Sequence, residues 1–199
     1  MAHNMQFDYK IIDDFIPLSL QEELKKLLIL DKGFPWYYSP DVTYGDKALV
    51  NARAPGFSHT FKVQGNFTSN FSSHFSMLAH LGANIVDFKF KELAQARTFL
   101  QLPLSQSFLH ESVDRLHCDL EIDHLVVLYY VIDSDGDTII TNKRMVPFKR
   151  EEHLEYQNYD ILAKVTPKQG RAVIFDGKLY HTAEQPKNNI RCVVNMDII

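Results

Sequence analysis

The spacing of apolar residues changes rhythm near residue 93. Before that point the pattern is helical in two places. Leu24, Leu27 and Leu28 form a stripe with Lys25 and Lys26 facing out, which predicts a helix opened by Pro17, N-capped by Ser19, with Glu22 and Glu23 in its first turn and Gly33 as its stop. Phe71, Phe75 and Leu78 predict a second helix over about Ser69 to Leu81, ended by Gly82. Asp8 to Phe15 (DYKIIDDF) reads as a short leading strand. Beyond Leu93, short runs rich in Val, Ile, Tyr, Phe and Thr alternate with turn signals. They predict strands near Ala96–Leu102, Arg115–Asp119, Leu125–Ile132, Thr138–Asn142, Ile161–Thr166, Ala172–Phe175 and Arg191–Ile198. Asp133–Asp137 reads as a hairpin turn with Gly136 supplying a positive φ, and Lys168-Gln169-Gly170 as another turn. Such a strand series after helices fits a β-sandwich or jelly roll with the helices packed outside. Lys143 to Asp160 is charged and aperiodic, and reads either as a lid over a pocket or as a surface loop.

With 199 residues, 45% of them hydrophobic, the chain is long enough for one domain with a sizeable core. The formal charge of −4 and the lack of a basic stripe disfavour nucleic acid as a partner. Lys143, Arg144, Lys149 and Arg150 do cluster, but Glu151, Glu152 and Glu155 dilute them. Two cysteines, Cys118 and Cys192, are too few for a disulfide framework. No apolar run reaches the roughly 20 residues of a membrane span, and the first residues lack the apolar segment of a secretory leader. The expectation is a soluble, cytoplasmic protein without a membrane partner; the oligomeric state is left open.

Several chemistries fail at the motif level. The chain has no Gly-x-Ser-x-Gly elbow, phosphate loop, dinucleotide fingerprint, Cys-x-x-Cys pair or His-Glu-x-x-His. Asp133–Asp137 departs from a calcium loop in its glycine position and in having Arg144 where glutamate belongs. What remains is His117-Cys118-Asp119, then His181, then Arg191. On a strand, residues i and i+2 share a face, so His117 and Asp119 project together with Cys118 turned away. A third ligand from a distant strand completes two imidazoles and one carboxylate on one side of a metal, a set that suits non-haem iron(II) with open positions. His-x-acid pairs also arise by chance; His153-x-Glu155 lies in the irregular charged stretch and is read as such a pair. A surface histidine beside an acid is the plain alternative for His117.

The whole order resembles the iron(II)- and 2-oxoglutarate-dependent oxygenases, most closely their prolyl-hydroxylase-like branch. The stretches that carry the resemblance are RLHCDLEIDHLVVLYYVIDSDGDTII (Arg115 to Ile140) and GRAVIFDGKLYHTAEQPKNNIRCVVNMDI (Gly170 to Ile198). It spans about Ala96 to Ile199, and the Phe34-Pro35-Trp36-Tyr37-Tyr38 patch is similar to small phage and marine microbial members. Asp133 stands where the branch has Asn, and Asp-Gly-Asp-Thr (Asp135 to Thr138) replaces Gly-Gly-x-Thr. The resemblance implies a mainly β fold with flanking helices, a double-stranded β-helix or jelly roll. Residues 1–92 would form a helical support and 93–199 the catalytic core of one domain. It further implies that His117, Asp119 and His181 ligate iron(II) and that Arg191 pairs with the distal carboxylate of 2-oxoglutarate, with Tyr130 donating to the same carboxylate. Arg suits this role because its planar fork meets a carboxylate with parallel hydrogen bonds. The implied activity is hydroxylation of a C–H bond by dioxygen coupled to decarboxylation of 2-oxoglutarate to succinate, with ascorbate as an accessory reductant.

Other residues have two readings each. Gln101 steadies the cosubstrate or is a plain strand glutamine. Tyr130 is a cosubstrate donor or a core aromatic, and Arg191 a clamp or a surface strand charge. Trp36, Tyr37 and Tyr38 rim the substrate mouth or, the favoured reading, glue the first helix to the sheet. Cys118 and Cys192 read as packing residues. A different functional class, a non-catalytic metal-binding jelly-roll (cupin-like) module, shares the fold; Arg191 argues for the enzyme, since a binding module needs no cosubstrate clamp. The substrate, peptidyl proline or a free small molecule, is left open.

Overall fold

The computed structural model describes residues 7–43, 54–104, 113–149, 151 and 154–199. In chain order the strands are β1 (Tyr9–Ile12), β2 (Tyr37–Ser39), β3 (Gly56–Val63), β4 (Asn66–Phe67), β5 (Leu93–Gln101), β6 (Leu125–Tyr130), β7 (Thr138–Arg144), β8 (Ile161–Val165), β9 (Ala172–Asp176), β10 (Leu179–Ala183) and β11 (Arg191–Ile198). The α-helices are α1 (Leu18–Lys25) and α2 (Ser72–Ile85). One antiparallel sheet runs β1-β9-β6-β11-β5-β3-β2, with β4 beside β3; a smaller one runs β10-β7-β8. This is the mainly β architecture with flanking helices of a double-stranded β-helix. The stretch before residue 93 contributes four strands to the large sheet, where the pattern predicts mainly helices.

β6 shows why the strands read as continuous apolar runs. Both of its faces are buried. Val126, Leu128 and Tyr130 point between the sheets, while Leu125, Val127 and Tyr129 join the cluster packed against the helices. α2 lays Phe75, Leu78, Ala79 and Ala83 on that outer face. Gly82 does not end this helix, which continues to Ile85. Its role is close approach: a Cβ there would lie 2.6 Å from Val127 Cγ2. α1 starts at Leu18, so Ser19 is not its N-cap and Glu22 and Glu23 fall beyond the first turn. The Pro17 carbonyl accepts from the Leu20 and Gln21 backbone instead. A π-helical turn, Lys26–Leu30, extends it. The Trp36 indole donates to the Leu28 carbonyl at 3.1 Å, so this side chain secures the end of the helical segment, as the packing reading has it. Tyr37 and Tyr38 are exposed.

Asp133–Asp137 is not a hairpin. β6 belongs to the large sheet and β7 to the small one, so this segment carries the chain between layers. Gly136 has no positive φ; a glycine is required because a Cβ would lie 2.7 Å from the Glu184 carbonyl oxygen and 3.1 Å from Arg191 Cδ. Gly170 does adopt the left-handed φ of +78° at its turn. Among the described residues no helix is long and apolar enough to cross a membrane.

The charged stretch after β7 is partly described; His153 of its chance pair lies outside the described residues. Two of its basic side chains are engaged: Lys143 pairs with Glu151 at 2.7 Å, and Arg144 with Asp8 and Asp176. Leu154, Tyr156 and Tyr159 pack against Leu116, Cys118, Met145 and Tyr180.

Candidate active site

His117 and Asp119 are not on an extended strand. The strand pairing of this segment is limited to isolated bridges, His117 opposite His181 of β10 and Val113 opposite Glu184 just past that strand. The parity holds all the same, for Cys118 turns away to the Lys178 carbonyl. His181 lies within β10, a strand absent from those the sequence pattern predicts, where a register shift between Leu179 and His181 breaks the regular ladder.

His117, Asp119 and His181 each offer a ligand atom within 4.8 Å of the others. Each ring has its Nδ1 beside a backbone carbonyl, Arg115 at 2.9 Å and Leu179 at 3.1 Å. Donation from Nδ1 puts the lone pair on Nε2, which is how a backbone acceptor prepares an imidazole for a metal. Asp119 Oδ1 accepts from Arg97 Nη2 at 2.7 Å, while Oδ2 is buried without a hydrogen-bond partner, 3.3 Å from His181 Nε2. Burial opposes the charge of Asp119, but His181, Arg97 and His117 outweigh it and hold the carboxyl well below the usual range. An ionised carboxylate with one oxygen tied and one without a hydrogen-bond partner, beside two imidazole Nε2 atoms, fits a divalent cation, whose bonds are roughly 2 Å long.

A second group, Asp119, His124 and Asp197, lies within the same mutual distance. Burial and the charge of Asp119 push Asp197 well above the carboxylate range, and the Arg97 guanidinium stands 3.9 Å from it. Neither His124 nor Asp197 lines the cavity that His117, Asp119 and His181 share, so the first group is the metal candidate.

The other end of the same cavity is built by Arg191, which is 5% exposed. Its Nε donates to the Gly136 carbonyl, Nη1 to Gln101 Oε1 and Nη2 to Thr138 Oγ1, each at 3.0 Å. Among the described residues it forms no ion pair. Gln101 faces Arg191 directly across the β5–β11 ladder and also donates to Asp114 Oδ2 at 3.0 Å. The Tyr130 hydroxyl donates to Thr138 Oγ1 at 2.8 Å, and burial raises its pKa to about 12. Thr138 Oγ1 thus accepts two hydrogen bonds, and its own proton is left to give to a ligand. Leu128, Phe175 and Val193 form the apolar wall between the two ends. None of the described residues after Arg144 and before Ile161 lines this cavity.

Four site residues escaped the sequence pattern. Arg97 and Asn195 lie four positions from Gln101 and Arg191 on the same inward faces, so strand parity was their available signal. Asp114 lies ahead of the predicted strand, and nothing local marks it. Burial raises it to about 7, against the opposing influence of Arg191 and the Gln101 and Gln185 amides. Thr138 is present in the turn motif without a sign of its role. Cys192 packs in the core outside the cavity, its thiol pushed up to about 12 by burial.

No family model and no curated protein matches the chain in sequence. Solved structures do match in fold. SnoN, the non-haem alpha-ketoglutarate-dependent epimerase from nogalamycin biosynthesis, aligns at a TM-score of 0.65 and 9% identity over 96% of this chain and 77% of that one. A prolyl-4-hydroxylase from Pseudomonas putida aligns at 0.59 and 10% identity, over 97% and 93%. A prolyl hydroxylase from Trichoplax adhaerens, solved with a hypoxia inducible factor peptide, aligns at 0.62 and 14% identity, over 98% and 84%. The chain therefore shares its fold with 2-oxoglutarate- and iron(II)-dependent oxygenases, prolyl hydroxylases among them.

Proposed function

We propose that this protein is an iron(II)- and 2-oxoglutarate-dependent oxygenase that hydroxylates a C–H bond, with His117, Asp119 and His181 holding the metal. Arg191 holds the distal carboxylate of 2-oxoglutarate, supported by Gln101, Thr138 and Tyr130. The observation that carries this reading is the pairing within one cavity of three ligand atoms within 4.8 Å of one another, one of them a buried carboxylate oxygen without a hydrogen-bond partner, and a buried guanidinium that forms no ion pair among the described residues. A buried, unpaired cation is costly unless a ligand supplies the anion. A metal-binding module without turnover has no use for it.

Bound iron would supply the redox chemistry that activates dioxygen while 2-oxoglutarate is decarboxylated to succinate. The protein's own residues orient and shield. The Arg115 and Leu179 carbonyls fix both imidazole tautomers. Arg97 holds one oxygen of Asp119 and leaves the other for the metal. Arg191 and the Thr138 hydroxyl bind the distal carboxylate, and Gln101 keeps the guanidinium in plane by accepting from Nη1. Leu128, Phe175 and Val193 keep water from the span between.

Succinate release from 2-oxoglutarate on adding iron(II), aerobically and with ascorbate, tests the reading. Metal-dependent succinate is expected, with none from His181→Ala. Metal-independent release, or none from the unaltered chain across a substrate screen, would refute it.

A further inference from the structure

At the metal end of the cavity, Arg97 on β5 and Asn195 on β11 are direct partners across the ladder, and both line the cavity. Each carries a buried polar atom without a partner: the Arg97 Nε–H donor and the Asn195 Oδ1 acceptor. Asn195 is 5% exposed. Arg97 is fixed on two sides, by Asp119 Oδ1 at 2.7 Å and by the Phe99 ring, 5.2 Å from the guanidinium carbon to the ring centroid. A donor and an acceptor side by side, buried and unpaired with each other, are groups that a ligand satisfies. The two ends of 2-oxoglutarate are already assigned, one to Arg191 and one to the metal.

Resting on the oxygenase reading, we propose that Arg97 and Asn195 form the substrate-recognition subsite, and that the substrate is a small acid. Its carboxylate meets the Arg97 guanidinium, and a neighbouring hydroxyl or amino group donates to Asn195 Oδ1. A hydroxy acid or amino acid has this chemistry; a neutral or cationic compound lacks it.

The test is binding without turnover. Protein loaded with Mn(II) and 2-oxoglutarate is titrated calorimetrically with a panel of small hydroxy and amino acids, their methyl esters and the matching amines. At least one acid is expected to bind saturably, and its ester and amine roughly ten- to a hundredfold more weakly. Asn195→Leu should weaken the acid by a similar factor while 2-oxoglutarate affinity stays within about threefold. No acid binding, or equal binding of acid and ester, overturns the proposal. The ester arm uses the unaltered chain and so decides even where a variant does not fold. A loss of 2-oxoglutarate affinity in Asn195→Leu, with acid binding kept, would assign the pair to the cosubstrate and overturn it too. If the unaltered chain takes up neither Mn(II) nor 2-oxoglutarate, the oxygenase reading fails, and acid-over-ester preference in the metal-free protein still decides the subsite.

Discussion

His117 and His181 stand directly opposite each other across an antiparallel bridge, exchanging backbone hydrogen bonds at 3.0 and 2.9 Å with ring centroids 4.5 Å apart. Their spacing is set by main-chain pairing between segments distant in sequence.

This has a consequence for mutants. His181→Ala removes a ring but keeps the bridge, so its melting temperature in the absence of metal should stay within a few degrees of the unaltered chain, while succinate formation disappears. Asp119→Ala also abolishes activity, but it leaves Arg97 without its nearest anion and should cost about 1–3 kcal/mol of stability. Thermal melts beside succinate assays separate the two. Equal melting of both variants would contradict the assigned role of Arg97.

Arg191→Ala should raise the 2-oxoglutarate requirement roughly 30- to 1000-fold, the equivalent of about 2–4 kcal/mol for a lost charge-assisted pair. Gln101→Ala should act in the same direction but less, since Gln101 touches the guanidinium and not the ligand. The 2-oxoglutarate concentration dependence of succinate release measures both. An effect of Gln101→Ala larger than that of Arg191→Ala would reverse the roles.

Much of this site was legible because strand alternation is a local rule. It put Tyr130 with Val126 and Leu128, turned Cys118 away, and set His117 with Asp119 even though that segment forms only bridges. β10 was not legible: Leu179 to Ala183 follows an Asp-Gly turn signal, and its pairing with β7 is a tertiary event that no short window contains. β3 (GFSHTFKV) mixes His, Thr and Lys into its alternation and gave no strand signal. Gly82 and Gly136 read as terminator and turn residue, yet each is needed because another part of the chain, Val127 or Glu184 and Arg191, approaches too closely for a side chain. Asp114 draws its environment from Gln101, Gln185 and Arg191, on elements far apart in sequence.

The close approach of α2 predicts that Gly82→Ala is destabilising although alanine is the better helix former. Its Cβ would meet Val127 Cγ2 at 2.6 Å, and overpacking of this kind costs about 1–3 kcal/mol. A melting temperature lowered by roughly 2–12 °C is expected, with unchanged dependence on 2-oxoglutarate. A stabilised variant would mean that the helix shifts freely on the sheet.

Asp114 sets a pH dependence of stability. Burial raises its folded-state pKa to about 7, above the value of an exposed carboxyl, so the folded state holds this proton more tightly than the unfolded chain. Its contribution is complete below about pH 4 and is lost as the pH rises through about 7. Asp114→Asn cannot ionise. Relative to the unaltered chain it should therefore gain stability as the pH rises from 5 to 8. Melting temperatures across that range test this; parallel curves for the two proteins would show that Asp114 is ionised throughout.

The account rests on a metal and a guanidinium sharing one ligand across one cavity. Anaerobic calorimetric titration of 2-oxoglutarate, with and without Mn(II), measures that directly. Binding of one 2-oxoglutarate per chain is predicted only when the metal is present, and a marked weakening when Arg191 is replaced by methionine. Equal binding without metal, or binding indifferent to Arg191→Met, would contradict it.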